Sequence, residues 1–120
     1  GEHNLYLMFE TEYVGSSAGY GVATLDGVTA DPITDPFSTT GMTLLAGSDS
    51  SGDYASTTLG ASVKAGIYGT GGTGSGYVGF TYYDGSTYKI AWLGLNFHNG
   101  LTDTTQKNTL MDNIMTWFGY

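Results

Sequence analysis

The chain contains no cysteine. That absence removes disulfides, thiolate nucleophiles and cysteine-based zinc or iron–sulfur sites together. It is almost as poor in positive charge. Lys64, Lys89 and Lys107 are the only cations, and the net charge is −8. Nucleic-acid binding needs a cationic surface to meet phosphates, and anionic lipid surfaces need the same, so neither partner is expected. No apolar run approaches the roughly 20 residues of a membrane span, so no membrane insertion is expected either. Proline is scarce, at 2 residues, and both sit in one segment, Asp31-Pro-Ile-Thr-Asp35-Pro. Each fixes φ and disfavours helix before it, which marks that segment as turns.

What is present is enough to fold. Hydrophobic residues make up 40% of 120 residues and aromatics 14%, which argues against global disorder. The length suits one domain, 1–120, or the carboxy-terminal part of a larger one. The 20 glycines imply many turns and close backbone approaches. The chain begins at Gly1 with no initiator methionine, as expected of a processed or excised piece.

Residues 4–14 fit a helical stripe (Leu5, Met8, Phe9, Tyr13) and a strand (Leu5, Leu7, Phe9, Thr11) equally well; a short helix is the expectation. Short strands are expected within 20–28, 42–46 and 61–68. Gly69 to Gly76 reads as a low-complexity connection. Tyr77–Tyr83 and Tyr88–Phe97 are the strongest strands, joined by the hairpin signal Asp84-Gly85-Ser86-Thr87. Ile90 and Trp92 lie on one face of the second, and Ala91, Leu93, Leu95 and Phe97 on the other. A strand apolar on both faces belongs inside a covered sheet. A helix closes the chain. Asp103 is placed as its N-cap with Gln106 three residues on, and Gly119 as the residue that ends it. Leu110, Met111, Ile114, Met115 and Phe118 are expected to form one core-facing stripe. The fold class is thus α/β, or α+β, with a β-rich layer of about five strands and a carboxy-terminal amphipathic helix.

Three segments carry a resemblance: Asp26-Gly-Val-Thr-Ala-Asp31-Pro-Ile-Thr-Asp35, Tyr88–Phe97, and Leu110–Gly119. Together they resemble the carboxy-terminal half of class I glutamine-amidotransferase-like, flavodoxin-like domains found in large secreted bacterial and archaeal proteins. The resemblance implies an incomplete half-fold whose remaining parallel sheet lies elsewhere. It also implies an extracellular or cell-surface location. Catalytic members carry a cysteine elbow upstream, and a histidine after the late strand in a His-Pro-Glu motif. Here the position reads His98-Asn99-Gly100, so His98 matches without its orienting acid and without a nucleophile. A base alone is not a catalytic constellation, which points away from an enzyme.

Other candidates are weighed against simpler roles. Gly69-Thr-Gly71-Gly-Thr-Gly74 matches the dinucleotide pattern, but a strand rather than a helix should follow it. Ser75 lacks the nucleophile-elbow context. Asp26, Asp31 and Asp35, and the pair Asp49 and Asp53, fall in loops, and calcium takes hard oxygens from such turns. Neither group has the D-x-[DN]-x-[DN]-G spacing, and turn capping accounts for the same residues. Tyr82 and Tyr83, among ten tyrosines, could stack on sugar faces or simply cover the sheet. The functional expectation is a non-catalytic structural or assembly module. It would pair with another chain or with the missing half of its domain, as a homo- or hetero-oligomer. The alternatives are a carbohydrate-binding module, with or without calcium, and a remnant of an amidotransferase-like hydrolase.

Overall fold

The computed structural model describes residues 12–15, 22–45, 53–56, 62–72 and 74–120. Among these residues seven strands form one sheet: β1 (Glu12–Gly15), β2 (Thr24–Gly27), β3 (Met42–Thr43), β4 (Tyr54–Ser56), β5 (Val63–Tyr68), β6 (Val78–Asp84) and β7 (Lys89–Leu93). One helix follows, α1 (Thr104–Phe118). The sheet order is β1-β4-β6-β5-β2-β3, with β7 also paired to β6. The mixed class expected from the sequence is found. Every pairing among the described residues is antiparallel, whereas the resemblance implies a parallel sheet.

β6 organises the layer. Its sequence, Val-Gly-Phe-Thr-Tyr-Tyr-Asp, is buried from Val78 to Tyr82. Phe80 and Tyr82 point into the main core, alongside Leu25, Ile33, Met42, Tyr68 and Leu110. Thr81 projects to the opposite face and is also buried; its Oγ1 donates to the Val63 carbonyl at 2.7 Å. Gly79 lets the Tyr68 ring cross β6, because a Cβ there would lie 2.6 Å from Tyr68 Cζ.

The doubly buried strand is therefore β6, not the 90–97 segment. β7 ends at Leu93 and, among the described residues, pairs only with β6. Its residues Ile90 to Leu93 are half-buried. At Gly94 the chain leaves the ladder: its N–H donates to Gly79 O at 2.8 Å, and its carbonyl accepts from Asp53 N at 2.6 Å. β7 thus hands over to β4 on the same edge of β6. Asn96 then turns the chain, its Oδ1 accepting from His98 N and Asn99 N.

Two strands were not anticipated. β4 is three residues long, too short to show a period of its own. β1 replaces the expected early helix over Glu12–Val14; residues 4–11 lie outside the described residues. β1 is held by pairing with β4, a long-range preference that local periodicity does not register.

Residues 100–102 run along β3, through a Leu44–Leu101 bridge and the bonds Leu45 N to Gly100 O and Thr102 N to Thr43 O. This places the start of α1 beside β3. Asp103 caps the helix as expected, its Oδ1 accepting from Gln106 N at 3.0 Å. Gln106 does not return that bond. Its Oε1 accepts from Thr43 N at 2.8 Å and its Nε2 donates to Gly41 O at 3.0 Å. Gly119 ends the helix at φ 99°, a left-handed conformation that favours glycine, and its N–H reaches the Met115 and Thr116 carbonyls.

Candidate functional site

Near the other end of α1, Asn113 Nδ2 donates to Ile33 O at 2.8 Å. Lys89 Nζ donates to Trp117 O at 3.0 Å and lies 4.8 Å from the Trp117 ring centroid. A cation beside the last carbonyls also suits the helix dipole. Trp117 packs on Tyr82, ring centroids 5.0 Å apart. The helix is thereby tied to the sheet near both ends, and its rotation is fixed.

That rotation divides the single stripe expected from sequence into two. Leu110, Ile114 and Trp117 face the core. Met111, Met115 and Phe118 do not: they are 40%, 39% and 37% exposed. Phe118 is held edge-on to Trp117 at 4.8 Å. Tyr120, just past the helix, is 88% exposed. The result is an apolar row on the outside of a well-anchored helix.

The sequence-selected candidates do not gather into one site. Asp31 is buried and its carboxylate is filled. Oδ1 accepts from Ile33 N and Thr34 N, each at 2.9 Å, and Oδ2 accepts from Tyr82 OH at 2.8 Å. Thr34, itself fully buried, donates to Ala65 O at 2.6 Å. Asp35 is exposed and accepts from Ala30 N at 2.6 Å, where Ala30 takes a φ of 64°. Asp26 is half-buried beside Thr24 and the backbone of Gly41 and Gly69, while Leu25 between them is in the core. Asp53 immediately precedes β4, and Asp49 lies outside the described residues. Among the described residues no three acidic or histidine side chains converge as a metal would require.

Tyr82 and Tyr83 project to opposite faces of β6. Tyr82 is buried, and burial followed by its bond to the Asp31 carboxylate pushes its hydroxyl pKa well up. Tyr68 is shifted in the same direction by burial and by the Asp53 charge. Tyr83 is half-buried and packs on Tyr88 at 5.2 Å across the hairpin. His98 is exposed in the turn after β7, and among the described residues only its backbone is engaged: its N–H donates to Asn96 Oδ1 and its carbonyl accepts from Lys107 Nζ at 2.9 Å. Ser75 closes a local turn with Gly72 in the β5–β6 connection, and a strand follows it as expected. No enclosed pocket is lined by the described residues.

The feature that sequence reasoning missed is the outer face of α1. The signal was the apolar doublets Leu110-Met111, Ile114-Met115 and Trp117-Phe118. Neighbours on a helix are about 100° apart, so repeated doublets are too wide for one packed stripe. No protein-family model, no curated protein and no solved structure matches the chain.

Proposed function

We propose that the chain is a non-catalytic structural module that assembles with another polypeptide through the outer face of α1. The observation that carries this reading is the exposed row Met111, Met115 and Phe118 on a helix already fixed to its own sheet. An anchored helix cannot roll these residues inward. Large apolar side chains exposed together mark interaction surfaces. Covering the exposed part of each would stabilise a contact by about 1 kcal/mol, roughly half the value for full burial. An extracellular or cell-surface setting, and descent from an amidotransferase-like domain with His98 as its vestige, rest on the residue pattern alone.

Sedimentation velocity across a concentration series tests the reading. The wild-type chain should associate, and Met111→Glu/Met115→Glu should sediment as a folded monomer with an unchanged circular dichroism spectrum. Association that persists in the double variant would place the contact elsewhere. Glycan binding is a second reading, favoured by the Tyr83–Tyr88 ring pair, with Tyr88 47% exposed. Tyr88→Ala should then abolish retention on the glycan concerned; a chain that binds no glycan on an array removes that reading.

A further inference from the structure

The outer face of α1 has a finer pattern than an apolar patch. Thr104, Asn108, Met111, Met115 and Phe118 follow one another at spacings of four, three, four and three residues, and all five are exposed. That alternation is the 3.5-residue seam of a two-stranded coiled coil, with Asn108 and Met115 at a positions and Thr104, Met111 and Phe118 at d positions. An asparagine at a single a position is a known determinant of register in two-stranded pairs. Two charged residues flank the seam. Lys107 falls at a g position, and Asp112, five residues later, at the following e position. In a parallel pair, g of one helix meets the next e of its partner. Lys107 would therefore face Asp112 of the second copy, and twofold symmetry would repeat the contact. Asp112 is exposed and makes no hydrogen bond or ion pair among the described residues. Lys107 uses one of its three donors on His98 O and keeps two.

We infer that the partner of the α1 face is a second copy of this chain, docked parallel about a twofold axis. The seam is Asn108, Met111, Met115 and Phe118, closed on each side by a Lys107–Asp112 ion pair between copies. This rests on the assembly reading above and adds to it the partner, the orientation and the register. Phe118 is already set by its edge contact with Trp117, so little order is lost there on docking. Each copy carries −8, and long-range repulsion opposes the encounter. The measurement therefore belongs at about 0.15 M salt or above, where the screening length is about 8 Å.

The absence of cysteine makes the test direct, because any introduced thiol cross-links without background. In a parallel pair Met115 meets Met115 of the other copy. Met115→Cys should form a disulfide dimer under mild oxidation, and Thr116→Cys, exposed but off the seam, should not. Asp112→Lys should weaken the dissociation constant of the unlinked dimer by about tenfold through like charges at the flank, and Lys107→Asp/Asp112→Lys should restore it. Suppose the wild type associates and Met111→Glu/Met115→Glu abolishes it, yet Met115→Cys does not cross-link. The parallel register is then overturned and the assembly face stands. A wild-type chain that binds a different protein through this face but never itself overturns the second-copy inference alone. A chain that stays monomeric and binds nothing through α1 ends both.

Discussion

The Tyr82 hydroxyl donates a 2.8 Å hydrogen bond to Oδ2 of Asp31, fixing the 28–37 loop to the central strand across 51 residues of sequence. Asp31 is 7% exposed, so an oxygen that loses its donor there has little water to replace it. Tyr82→Phe should lower stability by about 1–3 kcal/mol, the usual penalty for a buried acceptor left unsatisfied. Asp31→Ala should cost more, since it also orphans the Ile33 and Thr34 amides. Urea unfolding of the two variants checks the order; equal midpoints for Tyr82→Phe and wild type would show the bond to be energetically idle.

The same hydroxyl, with that of Tyr68, gives a pH dependence of definite sign. Both are pushed above the ordinary tyrosine value of 10.0, mainly by burial. The folded chain therefore keeps these protons where the unfolded chain releases them. Their contribution is fully present below about pH 10 and is lost as pH rises beyond it, at up to about 1.4 kcal/mol per pH unit for each group. Alkaline unfolding should be steep above pH 10 and less steep in Tyr82→Phe. Tyrosinate absorbance should rise in a final cooperative step as these two ionise on unfolding. A smooth titration of every tyrosine before unfolding would contradict this.

Local patterns made the hairpin and the helix ends legible. Asp84-Gly85-Ser86-Thr87 turns β6 into β7, and Asp103 and Gly119 bound α1 as their chemistry requires. Other features depend on remote partners. Asp31 looks like a surface turn residue until Tyr82 is brought onto it. Strand β4 is too short to carry a period and exists through pairing with β1 and β6. The apolar faces of 90–97 suggested a central strand, but Gly94 and Asn96 end the ladder early and turn Leu95 into the core. The α1 doublets gave the width of its apolar surface. Which half faces inward was decided by Gln106 and Asn113, polar residues whose bonds to backbone on the sheet and the 28–37 loop set the rotation.

Gln106 is accordingly a tether rather than a capping-box partner. It accepts from Thr43 N and donates to Gly41 O at once, which an amide can do and an ionised carboxylate cannot. Gln106→Glu keeps the acceptor but sets a carboxylate against the Gly41 carbonyl. Both Gln106→Glu and Gln106→Ala should destabilise, each by about 1–2 kcal/mol, with the loss in Gln106→Glu shrinking as the carboxylate is protonated at low pH. Thermal melts at neutral and acidic pH read this out. A Gln106→Glu variant as stable as wild type at neutral pH would mean that the Gly41 bond contributes nothing.

Gly79 and Tyr68 form a pair whose coupling can be measured. A Cβ at Gly79 would come within 2.6 and 2.7 Å of two Tyr68 ring carbons and 2.8 Å of Leu25 Cδ1. None of these yields easily: Tyr68 is 1% exposed with its hydroxyl on Asp53 O, and Leu25 is fully buried. Gly79→Ala should therefore cost about 1–3 kcal/mol through overpacking. Gly76→Ala is the contrasting control. A Cβ there has nothing within 4 Å, and its cost comes only from a φ of 81°, about 1–2 kcal/mol for a side chain in the left-handed region. Tyr68→Leu removes the ring from the first site and keeps at the second the backbone carbonyl to which Gly76 N donates at 2.8 Å. In a double-mutant cycle Gly79→Ala should be markedly less harmful on the Tyr68→Leu background, whereas Gly76→Ala should be additive with it. Additivity at both positions would show that the Gly79 cost arises from the backbone rather than from the crossing ring.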